Sequence, residues 1–176
     1  MPSDAVLGFD TSGGWIAAAL VRGGAVLAQS HVALDKGQGE ALMPALETLL
    51  AGAGLGWRDL AAIGAGVGPG NFTGIRITTA AARGLALALG IPAIGITRFE
   101  ALALDGPPLP VVVPAVRGQV WVQAPGAAPV LGAPPGQGIG EGLTPPAHPL
   151  AVAIALLAAA RRHAPQPRPA PLYLRE

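Results

Sequence analysis

The chain has 176 residues, of which 51% are hydrophobic and only 12% are charged, and its formal net charge is +1. This hydrophobic content excludes an intrinsically disordered polymer, and the length suits one domain or two small lobes. The absence of cysteine excludes disulfides, thiolate zinc sites and cysteine nucleophiles.

The first third of the chain predicts an antiparallel meander followed by a helix. Three strands are predicted, at residues 5–10, 15–22 and 25–33. Gly23 and Gly24 form a two-residue connection of the kind that joins hairpin strands. Helical periodicity follows at 39–53, where Leu42, Leu46 and Leu49 fall on one face.

The middle of the chain alternates strands and helices. We predict a strand at 61–66, a glycine-rich turn at 66–74, a helix at 73–89, a strand at 92–96 and a helix at 97–104. Arg76 and Arg83 lie seven residues apart, and therefore on one face of the long helix, which otherwise carries mostly small side chains. Such a helix is buried on more than one side, either inside its own domain or against a partner.

The composition changes near residue 105, because most of the prolines lie beyond it. We predict strands at 110–116 and 119–123, a loop at 125–149, a helix at 149–162 and an extended tail. The change predicts two lobes, at residues 1–104 and 105–176.

Two turns carry candidate phosphate-binding residues. Asp10 and Thr11 end the first strand, in the arrangement with which actin-like ATPases open, although the same residues are also common in a simple hairpin turn. The second turn, GVGPGNFTG, contains Gly68 and Gly70, and Thr73 is a possible cap for the helix that follows. It lacks the Gly-Lys-Ser/Thr ending of a Walker loop, so a tight turn that binds nothing is an equal alternative.

The run GVGPGNFTGIRITTAAARGLALALGIPAIGITRFEALA strongly resembles the TsaB (YeaZ) family. FDTS near the N-terminus, LMPALETLL and the terminal PLYLR at 171–175 match the same family. The resemblance implies an α/β chain with the actin-like ATPase (ribonuclease H-like) fold, with one full N-terminal lobe and a reduced C-terminal lobe. It also implies a role in making threonylcarbamoyladenosine on tRNA.

The family's catalytic relative, TsaD, carries a His-x-x-x-His metal pair where this chain has Arg98 and Leu102. Neither residue is an ordinary metal ligand, so we expect no metal, no cofactor and no catalysis. The family's Asp-Ala-Arg and Glu-Val-Tyr steps are also altered, since Pro114, Gln119 and Trp121 replace three of their residues. We therefore expect a shallow cleft with no nucleotide, and Asp10, Thr11, Gly68 and Gly70 would be vestigial.

The resemblance implies that a TsaD-type catalytic subunit binds the first two helices and that a TsaE-type ATPase joins at the junction. The implied interface residues are Leu42, Leu46, Leu49, Arg76, Thr79, Ala80 and Arg83. Burial of the same residues in the chain's own core is the open alternative. Because apolar helices that lack a partner often pair with themselves, we also expect a homodimer when the chain is alone.

The remaining expectations concern location and competing functions. No apolar stretch approaches the 20 residues of a spanning helix, so we expect no membrane and a cytoplasmic protein. No more than two basic residues are adjacent, so tRNA contact is expected only through the complex. A self-contained ATPase or small-molecule kinase is the alternative function. A peptidase is a weaker one, because Ser12 has no recognisable histidine partner.

Overall fold

The computed structural model describes residues 4–174. Five strands form one sheet in the order β3-β2-β1-β4-β5, and three strands form a second sheet in the order β6-β7-β8. The first-sheet strands are β1 Ala5–Asp10, β2 Trp15–Arg22, β3 Ala25–Ala33, β4 Leu60–Gly66 and β5 Ala93–Ile96. The second-sheet strands are β6 Val111–Pro114, β7 Val120–Gln123 and β8 Val130–Gly132. The helices are α1 Gln38–Gly52, α2 Phe72–Leu89, α3 Arg98–Ala103 and α4 Leu150–Arg161.

The predicted meander is confirmed, because β1, β2 and β3 pair in antiparallel fashion over the predicted ranges. β1 also pairs in parallel with β4, which places it at the centre of the first sheet with every residue buried. A strand covered on both faces reads as a continuous apolar run, which is how AVLGFD reads.

Both faces of the first sheet are covered by helices. Leu7 and Phe9 of β1 pack in the core with the buried leucines of α1, whereas Val6 packs with α4 on the other face. Gly8 brings α4 close to the sheet, since a Cβ there would lie 2.5 Å from the backbone nitrogen of Ala155. The absence of a side chain on the central strand therefore lets an alanine-rich helix rest directly on the backbone.

The second sheet is small, and helix α3 packs against it. Phe99 and Leu102 share a buried cluster with Val111, Val113 and Ile139. β8 falls inside the segment predicted as loop, so that prediction is wrong over three residues. The strand forms because it pairs with β7, and the sequence of a three-residue strand shows no periodicity that would predict this pairing.

Helix α4 belongs to the predicted second lobe, yet it packs against β1, β2 and β4 of the first sheet. The boundary after residue 104 stays a prediction. The predicted tail has no helix or strand within its described part, and its last two residues, 175 and 176, lie outside the description. Within residues 4–174 no helix is long and apolar enough to cross a membrane.

Candidate functional site

The turn after β1 is organised around the carboxylate of Asp10, which is 1% exposed. Its Oδ1 accepts hydrogen bonds from the Ser12 amide at 2.9 Å, from the Ser12 hydroxyl at 2.9 Å and from the Trp15 indole at 3.1 Å. Three donors on one oxygen suit a charged acceptor. Asp10 therefore stabilises the turn that follows β1 through the hydrogen bonds of its Oδ1.

Thr11 joins this turn to helix α2. Its amide donates to Thr78 Oγ1 at 2.9 Å, and its hydroxyl donates to the Gly74 carbonyl at 2.7 Å and also lies 2.8 Å from Thr78 Oγ1. Thr11 and Thr78 are both fully buried. These bonds satisfy polar groups that would otherwise be buried without partners, and they attach the turn after β1 to the first two helical turns of α2.

The glycines of the second turn serve mainly close packing rather than unusual backbone angles. A Cβ on Gly66 would lie 2.1 Å from Asp10 Oδ2, one on Gly70 would lie 2.5 Å from the Ser12 carbonyl, and one on Gly74 would lie 1.8 Å from the Thr11 carbonyl. Gly68, in contrast, has a φ of 96° and needs the conformational freedom of glycine. The two turns therefore contact each other directly.

Asn71, not Thr73, caps helix α2. Its Oδ1 accepts from the Gly74 amide at 2.9 Å, and its own amide donates to the Ser12 carbonyl at 2.7 Å. The prediction for Thr73 is wrong because the helix begins at Phe72, which places Thr73 inside its first turn.

The structure brings Asp10, Thr11 and Gly70 together, and Gly68 lies in the same second turn. However, the amides of Thr11, Ser12, Asn71 and Gly74 all donate to protein oxygens. An anion-binding turn needs amides that point at the ligand. This arrangement therefore stabilises the two turns and offers none of these four amides to a phosphate.

Arg98 begins α3 and lies 5.1 Å from the centroid of the Trp15 ring. Burial lowers the pKa of its guanidinium below the ordinary value, and the charges of Asp10 and Glu141 act in the opposite direction. Its Nε is buried without a hydrogen-bond partner in the described chain. Leu102 lies four residues on in the buried cluster of α3, and residues 4–174 contain no group of three metal-ligating side chains.

A cleft of about 760 Å³ lies between the two turns, the second sheet and the tail. Its walls include Ser12, Asn71, Arg98, Pro114, Trp121, Glu141 and Tyr173. The volume falls in the range of small-molecule sites, but a volume does not measure depth, so the expectation of a shallow cleft stays a prediction.

The seven predicted interface residues divide into two groups. Leu42, Leu46 and Leu49 are 1%, 0% and 7% exposed and belong to the core beneath the first sheet, so they are unavailable to a partner. The helical spacing of these leucines therefore reflects burial in the chain's own core, which is the alternative left open in the sequence analysis. Thr79 is also buried, and its hydroxyl donates to the Ile75 carbonyl within the helix.

Arg76, Ala80 and Arg83 are exposed along one side of α2. Leu87 continues the same side and is 86% exposed, a feature that the sequence analysis missed although its spacing from Ala80 and Arg83 indicates it.

An aromatic cluster at the start of α2 was also missed. Phe72 and Tyr173 stack with ring centroids 4.9 Å apart, Arg76 lies 3.8 Å from the Phe72 centroid, and its Nε donates to the Tyr173 hydroxyl at 2.9 Å. The tail approaches through Leu172, whose amide donates to the Val67 carbonyl at 2.8 Å. The sequence matched PLYLR to the family but predicted no contact for this tail beyond an extended course.

The chain is similar to known proteins both in sequence and in fold. The family model described as "TsaD: tRNA N6-adenosine threonylcarbamoyltransferase" matches residues 34–169. The chain is 36% identical over 101 residues to the "tRNA threonylcarbamoyladenosine biosynthesis protein TsaB" of Bacillus subtilis, a match that covers 57% of this chain and 44% of that protein. It is 37% identical over 62 residues to the Escherichia coli protein of the same name, over 35% of this chain and 27% of that one. These matches therefore span less than half the length of either relative.

The solved structure titled "YeaZ from Pseudomonas aeruginosa" superposes with a TM-score of 0.71 at 22% identity, over 97% of this chain and 100% of that one. A protein described as similar to peptidase YEAZ from the same organism gives a TM-score of 0.74 at 20% identity, over 98% and 100% of the two chains. At these identities the likeness shows the fold alone.

The sheet order, the covering helices and the paired turns define a protein with the actin-like ATPase (ribonuclease H-like) fold. With the family model matched over most of its length and TsaB proteins among its relatives, the chain belongs to the TsaB (YeaZ) family, within the wider family that the TsaD model describes.

Proposed function

We propose that the chain is a non-catalytic subunit required for threonylcarbamoyladenosine modification of tRNA. In this proposal it binds and activates a TsaD-type catalytic subunit together with a TsaE-type ATPase, and it meets tRNA only through that complex. The names of the TsaB relatives support the pathway. The observation that supports the non-catalytic role is that the turn after β1 and the glycine-rich turn before α2 hydrogen-bond to each other and pack together.

The turns argue against phosphate chemistry in two ways. The amides of Thr11, Ser12, Asn71 and Gly74 already have protein acceptors, so a phosphate could use these four only by breaking internal hydrogen bonds. The close approach of Gly70 and Gly74 to the backbone of residues 11–12 also packs the two turns directly against each other. Asp10 accepts three hydrogen bonds through Oδ1, which suits a structural acceptor better than a general base.

The exposed side of α2 is the surface we propose for the catalytic subunit. It presents Arg76, Ala80, Arg83 and Leu87, and the small Ala80 permits close approach of another helix. Large apolar side chains that are almost fully exposed, such as Leu87, are characteristic of interaction sites when they join a wider patch.

Charges on the two helices favour a partner of the same fold. Glu40 and Glu47 are exposed on α1, and Arg76 and Arg83 are exposed on α2. An acidic helix beside a basic one is complementary to its own copy after a two-fold rotation. The same face can therefore pair with a related TsaD-type chain or, when that chain is missing, with a second copy.

Leu87→Glu tests this surface directly. We expect at least a tenfold loss of affinity for the TsaD-type subunit in sedimentation or calorimetric titration, because a charge would replace a desolvated apolar contact. Val130→Glu on β8 is the matched control, since Val130 is also an exposed apolar residue, at 62%, and lies on the second sheet. Equal loss from both variants, or none from Leu87→Glu, would refute the proposed surface.

A self-contained ATPase or small-molecule kinase is the second candidate, and the cleft of about 760 Å³ beside Ser12 and Arg98 is the observation in its favour. We expect calorimetric titration of the isolated chain with magnesium ATP to show no micromolar binding, and we expect no ATP hydrolysis. Micromolar affinity that Asp10→Asn abolishes would support the alternative instead.

A further inference from the structure

A groove of about 460 Å³ lies between the C-terminal half of α2 and the tail. It shares no lining residue with the cleft beside the two turns. Arg83 and Leu87, which belong to the proposed α2 surface, line it from the helix, and Arg168 lines it from the tail. The groove therefore continues the α2 surface towards the tail.

The tail is held at this groove by contacts with the first sheet. Pro169 is buried and packs close to Gly95 of β5, where an added Cβ would lie 3.4 Å from Pro169 Cα. Three residues further on, the Leu172 amide donates to the Val67 carbonyl at 2.8 Å. The neighbouring Arg168 is exposed. The backbone beside Arg168 is therefore positioned by the sheet, while its side chain stays accessible to a partner.

The groove carries two positive charges without a counter-charge. Neither Arg83 nor Arg168 makes a hydrogen bond or an ion pair with another residue of the described chain. None of the described residues that line the groove is acidic. A guanidinium stays protonated and presents several hydrogen-bond donors. Complementarity of charge therefore favours an acidic occupant.

Much of the remaining lining is apolar, and it comes from Leu87, Ile91, Pro92 and Pro169. Leu87 is 86% exposed, so its side chain is free to pack against another molecule. The phosphates of an RNA strand would pair with the two arginines but would leave this apolar lining without a matching surface. A protein segment that carries both carboxylates and an aliphatic side chain would match both parts of the groove.

We propose that this groove receives an acidic segment of the TsaD-type partner. Carboxylates of that segment pair with Arg83 and Arg168, and an aliphatic side chain packs against Leu87 and Ile91. This role rests on the proposed function, because it extends the α2 surface, and it adds a part for the tail in recognition of the partner.

Arg168→Gln tests the tail without altering α2. The side chain is exposed and has no partner in the described chain, so the variant should fold with nearly unchanged stability. In calorimetric titration with the TsaD-type subunit, we expect binding about three- to tenfold weaker than that of the natural chain. Arg168→Lys should retain most of the affinity because it keeps the charge. Arg117→Gln makes the same change of charge at an exposed position between β6 and β7, and it should bind as the natural chain does.

Salt gives a second measurement, since exposed charge pairs are screened. Added salt should weaken binding of the natural chain more than binding of Arg168→Gln, and equal salt dependence of the two would count against the pairing.

Comparison with Leu87→Glu separates the groove from the α2 surface. If Leu87→Glu weakens binding but Arg168→Gln binds as Arg117→Gln does, the α2 surface stands and the groove proposal is overturned. If Leu87→Glu has no effect, the α2 surface fails and the groove proposal fails with it. Binding of tRNA to the isolated chain that Arg168→Gln abolishes, with partner binding unchanged, would assign the groove to RNA and would also overturn the proposal.

Discussion

Two adjacent threonines of α2 offer a matched test of the account of the paired turns. Thr78 Oγ1 accepts from the Thr11 amide at 2.9 Å, across 67 residues of sequence, in a fully buried setting. Thr79 is buried as well, but its hydroxyl donates only to the Ile75 and Arg76 carbonyls of its own helix. Replacement of each by valine keeps the shape and removes the hydroxyl.

Thr78→Val leaves the Thr11 amide buried without an acceptor, and such a group costs about 1–3 kcal/mol of folding free energy. We therefore expect a loss of about 2 kcal/mol in urea unfolding, or a fall in Tm of roughly 4–8 °C for a chain of this length. Thr79→Val should change stability little, because back-bonding to a carbonyl in the same helix contributes almost nothing. Equal losses from the two variants, or a loss below about 0.5 kcal/mol for Thr78→Val, would refute the reasoning.

Further predictions concern packing and pH. Gly66→Ala should destabilise the chain by about 1–3 kcal/mol in urea unfolding, because its methyl would lie against Asp10, whereas Gly84→Ala on the open side of α2 should stabilise it by up to about 1 kcal/mol. Burial alone would raise the pKa of Glu100, but hydrogen bonds from Thr97 and Arg161 outweigh it and hold that pKa below its ordinary value. The charged Glu100 therefore stabilises the folded chain at pH values above its unfolded-state pKa of about 4.5, and this stabilisation is lost as the pH falls through the lower folded-state pKa. The loss of unfolding free energy caused by Glu100→Gln at pH 7 should therefore shrink on acidification. A deficit independent of pH would contradict this assignment.

The elements of the first sheet were predictable because their signals are local. A continuous apolar run gave β1, Gly23 and Gly24 gave the hairpin, and the small-residue pattern gave α2. The second sheet was predicted less well, since the short strand at Val130–Gly132 depends on a neighbour rather than on its own pattern.

The site was predictable in its residues but not in its contacts. Asp10, Thr11 and the glycines are recognisable by type, yet only the structure shows that Gly66 accommodates Asp10 and that Gly74 accommodates Thr11. The period of Leu42 and its neighbours predicts one apolar face without saying what covers it. Likewise, the apolar α4 could not be assigned to the first sheet, because Gly8, which admits it, lies more than 140 residues earlier.

Threonylcarbamoyl transfer to tRNA, reconstituted with the TsaD-type subunit, the adenylate-forming enzyme and the TsaE-type ATPase of the same organism, tests the central claim most directly. The reaction is run without this chain, with the natural chain and with Asp10→Asn, which keeps the Oδ1 acceptor that holds the turn and removes the charge. We predict that transfer requires the chain and proceeds equally with Asp10→Asn. Transfer at full rate without the chain, or loss of transfer with a folded Asp10→Asn protein, would contradict a non-catalytic activating role.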